Sequence, residues 1–330
     1  MAPSPTSVDL LQPFFDSRGY LVLDGGLATA LEARGFDLDD PLWSARLLLE
    51  DPAALEQLHF DYLEAGADCL ISASYQASFE GLGRRGLGRE ETSDLLRRSV
   101  QLARQARERF WTEGRRDGRC YPLVAASVGP YGAILADGSE YTGAYGLDEA
   151  ALVDFHAERF EVLATSGADL LACETIPSSV EARALRQLLE AEPGIPAWIS
   201  FSCRDGEHLS DGSELAEAVA ELAGCRRLIA VGVNCTAPHF IPSLIERLQR
   251  VSELPIVVYP NSGEGYDAVH KRWLPQAEPW SLASSGSDWL RAGARLIGGC
   301  CRTGLEDIQS LRSLLLIQET DAQIASKTDR

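Results

Sequence analysis

Positive charge is scarce in this chain. Lysine and arginine number 30 against 49 aspartates and glutamates, a formal net charge of −19. A field of that sign repels phosphate backbones and anionic lipid, and the one compact basic cluster, Arg84, Arg85 and Arg89, is too small to reverse it. Neither a nucleic acid nor a membrane surface is expected as a partner. Long apolar runs are missing too, with nothing approaching the roughly 18 residues of a membrane helix. The opening "MAPSPTSVDL" has neither the basic nor the apolar region of a secretory signal, so a cytoplasmic location is expected. Methionine occurs once, at Met1, and nothing is drawn from that. Repeats, low-complexity stretches and internal linkers are also absent. With 45% hydrophobic residues, the chain has material for a large core, and disorder is expected only at the ends, 1–8 and the polar tail 319–330, around one domain spanning 9–318. A monomer or a small homo-oligomer fits this outline.

What the chain does have is a repeating pattern of short apolar runs and amphipathic segments. Eight runs read as strands: 20–26, 68–74, 121–129, 169–176, 197–203, 228–235, 255–261 and 294–301. Segments such as 51–66, 148–167, 178–194 and 238–253 read as helices between them, several closing on Gly or Pro. Near-continuous apolarity suits parallel strands covered by helices. Eight such units predict an α/β fold, a single (β/α)8 TIM barrel whose active site lies at the C-terminal rim of the strands. The long connections 75–89, 130–147 and 262–281 are expected to wall that site.

The ends of these runs are rich in reactive groups: Asp24, Ser74, Glu174, Cys203, Cys235, Asn261, Cys300 and Cys301. A barrel gathers them at one rim. In a reducing compartment the eight cysteines are core residues, metal ligands or catalytic groups rather than disulfides. Cys69, Cys120, Cys173 and Cys225 read as small buried hydrophobes. Cys300 and Cys301 are different, because they sit side by side after Gly298 and Gly299 at a strand end, two barrel places from the end of the run that carries Cys235. Three thiolates so placed can share one Zn²⁺ and leave its fourth tetrahedral position open, as catalytic sites do. Asn261 is a candidate exchangeable fourth ligand through its amide oxygen. His239 has C-x-x-x-H spacing to Cys235, but it follows Pro238 and reads as a residue at a helix start.

The segments "LDGGLATALEARG" (23–35), "SYQAS" (74–78), "SVGPYGAILADGSEYTG" (127–143), "CETIPS" (173–178), "GVNCTAPH" (232–239), "YPNSGE" (259–264) and "GGCCRTG" (298–304) occur in order over nearly the whole chain. Together they resemble the zinc-dependent homocysteine S-methyltransferases of the S-methylmethionine or S-adenosylmethionine type, and more distantly betaine-homocysteine methyltransferase and the homocysteine domain of cobalamin-dependent methionine synthase. The resemblance implies a (β/α)8 barrel, one Zn²⁺ on Cys235, Cys300 and Cys301, homocysteine and a sulfonium methyl donor as substrates, and methionine as product. In the wider group the position matching Asn261 can supply the fourth ligand. The Asp-Gly and Glu positions are expected to bind the amino-acid half of homocysteine. Asp24 and Glu174 would hold its ammonium and the backbone at Gly25 and Gly26 its carboxylate. Asp24 as a turn cap and Glu174 as a structural ion-pair member are the plainer readings. Tyr75 and Tyr131 are candidates for the donor pocket.

Other acceptors and other classes stay open at this point. A related thiol or selenol methyltransferase, with selenocysteine for example as acceptor, is one alternative. "GLGRRG" (81–86) is a literal G-x-G-x-x-G, but it lies between a strand ending near Ser74 and a helix starting near Arg89 rather than joining them, and reads as a flexible rim loop. A non-catalytic zinc module would need four protein ligands and a closed site.

Overall fold

Each of the eight apolar runs becomes a strand, but most are shorter than the run that announced them. In the computed structural model, which describes residues 10–38, 46–114, 116, 118–135, 138–191, 194–267, 272–274 and 280–328, the strands are β1 (Leu21–Val22), β2 (Cys69–Ile71), β3 (Leu123–Val128), β4 (Leu170–Ile176), β5 (Ala197–Phe201), β6 (Leu228–Asn234), β7 (Ile256–Tyr259) and β8 (Ala294–Ile297). All neighbours are parallel, in the order β1-β8-β7-β6-β5-β4-β3-β2. Closure comes at the two outer members. The Asp68 amide donates to the Val22 carbonyl at 2.6 Å and the Asp24 amide to the Cys69 carbonyl at 3.1 Å, so β1 meets β2 and the ring is complete. Parallel neighbours cannot be joined by tight turns. Helices therefore carry the chain back, as Pro52–Ala65 does between β1 and β2, capped by the Asp51 side chain on the Ala54 amide at 3.1 Å and stopped by Gly66.

Alternation along each strand sorts the side chains into two layers. Leu21, Leu123, Ala125, Leu170, Ala172, Trp198, Ala230, Val257 and Leu296 fill the barrel, and Leu11 and Phe14 of the first helix (Gln12–Arg18) pack against that cluster. The residues between them, including Val22, Leu70, Val124, Leu171, Ile199, Val231 and Val258, face the covering helices. At the other end from the rim, the buried Asp68 accepts from the Val22 amide at 3.1 Å, from Arg312 at 3.0 Å and from Arg119 at 3.3 Å, tying β2 to the last helix.

Two local expectations are corrected, and one connection gains an element. Residues 319–328, expected as a frayed tail, continue the helix Leu305–Thr328, where Glu319 accepts a hydrogen bond from Tyr20; the Ala, Gln and Glu residues of this stretch are good helix formers. Much of "GLGRRG" is ordered as the end of a short helix, Phe79–Gly83, capped by Ser78 on the Gly81 amide at 3.0 Å. The long connection after β7 contains a small antiparallel hairpin, Gly265–Asp267 with Arg272–Leu274. Residues 1–8, expected to be disordered, lie outside the described residues. Among the described residues no helix is long and apolar enough to cross a membrane.

Candidate active site and metal centre

The same alternation that fills the barrel with Leu and Ala turns polar at the C-terminal ends. Continuing inward from 125, 172, 198, 232 and 257, the next positions are Ser127, Glu174, Ser200, Asn234 and Tyr259. All are buried, so each must be satisfied internally. Tyr259 accepts from Trp198 Nε1 at 3.0 Å and shares a hydrogen bond with Ser200 Oγ at 2.6 Å; Ser200 reaches Asn234 Oδ1 at 2.9 Å. Asn234 is held by the Thr175 amide and hydroxyl, both at 2.7 Å, and Ser127 donates to the Glu174 carboxylate. This network is a rigid polar floor.

Backbone strain is concentrated directly above it. The described non-glycine residues with positive φ are Thr175 (61°), Cys235 (47°) and Arg302 (65°), each beside a reactive residue or itself one. A register shift between β4 and β5, from Cys173 to Ile176, brackets Glu174; such bulges re-aim side chains. The turn at Cys235 and the Gly298–Gly299 bend bring three thiols together. Cys235, Cys300 and Cys301 place their sulfur atoms within 4.8 Å of one another, with Cys235 and Cys301 Sγ 3.5 Å apart. Tetrahedral bonds of about 2.3 Å to one zinc ion would set neighbouring sulfurs about 3.8 Å apart, so the residues present fit such an ion. Hydrogen bonds from Cys300 and Cys301 hold the Cys235 thiol well below its usual range and raise the other two in return. Such a cluster gives up one proton readily and needs a cation to release the rest.

Asn261 is close, and its amide oxygen is engaged within its own loop. It accepts from the Gly263 amide at 2.9 Å, while Nδ2 donates to the Cys235 carbonyl at 3.3 Å, so the side chain props the strained turn at Cys235. The group beside the cluster is Tyr141, whose hydroxyl is 3.4 Å from Cys235 Sγ. His239 is exposed in the turn Pro238–Phe240, with its ring against Phe240. Cys203 is buried at the end of β5 and is not grouped with the three thiols.

The thiols open into a cavity of ≈ 110 Å³ that is also lined by Asp24, Gly25, Gly26, Tyr75 and Glu174. Burial pushes the Asp24 carboxyl well up, opposed by the Ile71 amide that it accepts at 2.8 Å. Burial likewise pushes Glu174 up to about 7, against the hydrogen bonds of Ser127 and Tyr259. Two desolvated acids facing one small cavity favour a cation between them. The Gly26 amide is committed to the Thr303 carbonyl at 2.8 Å, which leaves Gly25 as the backbone donor of the pair. Gly26 has a second duty: a Cβ there would lie 2.4 Å from the Cys300 carbonyl oxygen. Gly26→Ala should therefore cost about 1–3 kcal/mol, as overpacking does, and should weaken metal retention as well, read by thermal unfolding and by metal content after dialysis.

A family description, homocysteine S-methyltransferase, matches residues 21–315. The chain belongs to the homocysteine S-methyltransferase family. It is 50% identical over 302 residues to homocysteine S-methyltransferase YbgG of Bacillus subtilis, covering 91% of this chain and 96% of that one. The crystal structure of the homocysteine methyltransferase MmuM from Escherichia coli in its metallated form superposes with a TM-score of 0.83 at 47% identity, covering 92% of this chain and 99% of that one. A selenocysteine Se-methyltransferase of Brassica oleracea var. italica is 45% identical over 312 residues, 91% of this chain and 90% of that one.

Two features of this homocysteine S-methyltransferase were not found in its sequence. Glu140 and Tyr141 line the cavity, although nothing in the pattern of the connection 130–147 says which of its residues turn inward. Tyr131, expected there, is not among the lining residues; its ring packs against Tyr145 and Phe155, with centroids 5.3 and 5.0 Å away. Tyr75 does line the cavity.

Proposed function

We propose that this methyltransferase holds one Zn²⁺ on Cys235, Cys300 and Cys301 and moves a methyl group from a sulfonium, S-methylmethionine or S-adenosylmethionine, to the thiol of homocysteine, giving methionine. The observation that carries the reading is the meeting of three convergent thiols and two buried acids in one small cavity. A free thiol ionises near 8.5 and is mostly protonated at neutral pH; zinc, when bound, supplies the charge that removes that proton. The metallated form described for MmuM supports a metal here.

The protein's own residues supply position. Asp24 and Glu174 take the homocysteine ammonium by charge-assisted hydrogen bonds, and the Gly25 amide takes the carboxylate. The substrate sulfur then faces the thiol cluster, with Tyr75, Glu140 and Tyr141 on the remaining side for the donor. As the new S–CH₃ bond forms, the sulfonium S–CH₃ bond breaks in line and its electron pair leaves with a neutral thioether, so no acid is needed. The barrel, 9–318, works as one unit, with no nucleic acid or membrane as partner and a cytoplasmic setting.

Product analysis with homocysteine and each sulfonium tests the reading: methionine should form with at least one donor, and absence of methionine with both would refute it. Selenocysteine belongs in the same assay, because a soft sulfur-rich site suits a selenol and the Brassica relative is named for that acceptor. A pH profile gives a second check. With Glu174 titrating at about 7, acidification removes the charge that the ammonium requires. Below that value kcat/KM for homocysteine should fall by roughly tenfold per pH unit, while Glu174→Gln should flatten this limb.

A further inference from the structure

The connection between β3 and the helix Glu149–Ala164 delivers Glu140 and Tyr141 to the cavity, and both of its ends are tied to one buried carboxylate. Glu181, on the helix Ser179–Ala191, is fully buried and does not line the cavity. One of its oxygens accepts from the Tyr131 amide at 2.6 Å and the other from the Tyr145 hydroxyl at 3.0 Å. Behind it stand His156 and Arg159, also buried. His156 Nε2 lies 2.8 Å from Glu181 Oε1, and Nδ1 lies 2.8 Å from Arg159 Nη2. Because Arg can only donate, Nδ1 accepts and Nε2–H points at the carboxylate. The imidazole is thus neutral, consistent with burial lowering its pKa. Arg159 supplies the balancing charge and its Nη2 also donates to the Gly129 carbonyl at 2.6 Å.

The ties reach the cavity through backbone packing. A Cβ on Gly132 would lie 2.4 Å from the Glu140 nitrogen and 2.6 Å from the Ser139 carbonyl carbon, so the turn Tyr131–Ile134 rests directly on the turn Ser139–Tyr141. Moving residue 131 moves residue 140. We propose that Glu181 is a positioning residue for the donor side of the site: by fixing Tyr131 and Tyr145 it sets where Glu140 and Tyr141 stand. The inference rests on the reading of that side as the sulfonium pocket. Homocysteine meets Asp24, Glu174 and the thiols on other elements, with the Tyr141 hydroxyl, 3.4 Å from Cys235 Sγ, as the contact between the two sides, so its binding should respond far less to this tie.

Steady-state kinetics on the zinc-loaded full chain, with S-methylmethionine and homocysteine varied in turn, test it in wild type, Tyr145→Phe and Glu181→Gln. Tyr145→Phe removes one hydrogen bond to a carboxylate and leaves Glu181 opposite Arg159. The loss of such a bond should raise KM for the sulfonium roughly tenfold, with KM for homocysteine within about twofold of wild type. Glu181→Gln should raise the sulfonium KM further. A purely structural role would instead lower the active fraction, and so kcat, with both KM values unchanged. An unchanged sulfonium KM in Tyr145→Phe, or an equal rise in both KM values, overturns the inference, whatever Glu181→Gln does. Methionine production by wild type in the same assay separates this failure from failure of the functional reading.

Discussion

Cys301→Ser should bind no zinc after dialysis and should form methionine about a thousandfold more slowly than wild type, or not measurably. Its sulfur is 3.5 Å from that of Cys235, and no other thiol, imidazole or carboxylate is grouped with the cluster among the described residues. Two sulfurs and a hydroxyl make a poor soft-metal site. The loss follows from chemistry as well as affinity, because a metal acting on charge in the transition state contributes several kcal/mol, and the homocysteine thiol would fall back to its ordinary, mostly protonated state. Metal analysis and turnover measured on one preparation check this together. A mutant that kept zinc at full stoichiometry, or that turned over at wild-type rate without it, would contradict the assignment.

Glu174→Gln should raise KM for homocysteine about a hundredfold while leaving bound zinc in place. The Glu174 carboxylate is buried, joined to Ser127, and shares the cavity with Asp24. Truncating one partner of a buried, hydrogen-bonded charge pair costs about 2–5 kcal/mol, which brackets that factor. Gln keeps the shape and can still accept from Ser127, so the polar floor should survive and the thermal midpoint should change little. Asp24→Asn should behave alike in direction. If homocysteine KM were unmoved in both variants, the ammonium would have to sit elsewhere and these acids would be structural.

The barrel was legible because its strand-and-helix unit recurs eight times. Eight apolar runs, each followed by a helical segment, leave few topologies, and the thiol strand ends come together because β6 and β8 flank β7 in the parallel ring. Cys235, Cys300 and Cys301 were readable because they end strands, where position along the chain fixes position in space. Glu174 was readable for the same reason, being in phase with Leu170 and Ala172. Glu140, Tyr141 and Tyr131 were not, since they lie on a connection with no period to indicate direction. Its path is set by contacts with Glu181 and Gly132 that are distant from the rim in sequence or silent in composition. Asn261 shows a subtler limit. Its place at the end of the seventh run was correctly read, yet the orientation of its amide depends on the backbone of Gly263 and Cys235, which local sequence does not specify.

Zinc-edge X-ray absorption on the zinc-loaded chain, recorded before and after adding homocysteine, measures the central claim directly. Three cysteine ligands with one open position predict three sulfur neighbours at about 2.3 Å and one lighter neighbour without substrate, then four sulfurs with it. An unchanged sulfur count on adding homocysteine, or fewer than three sulfurs at the start, would contradict the account.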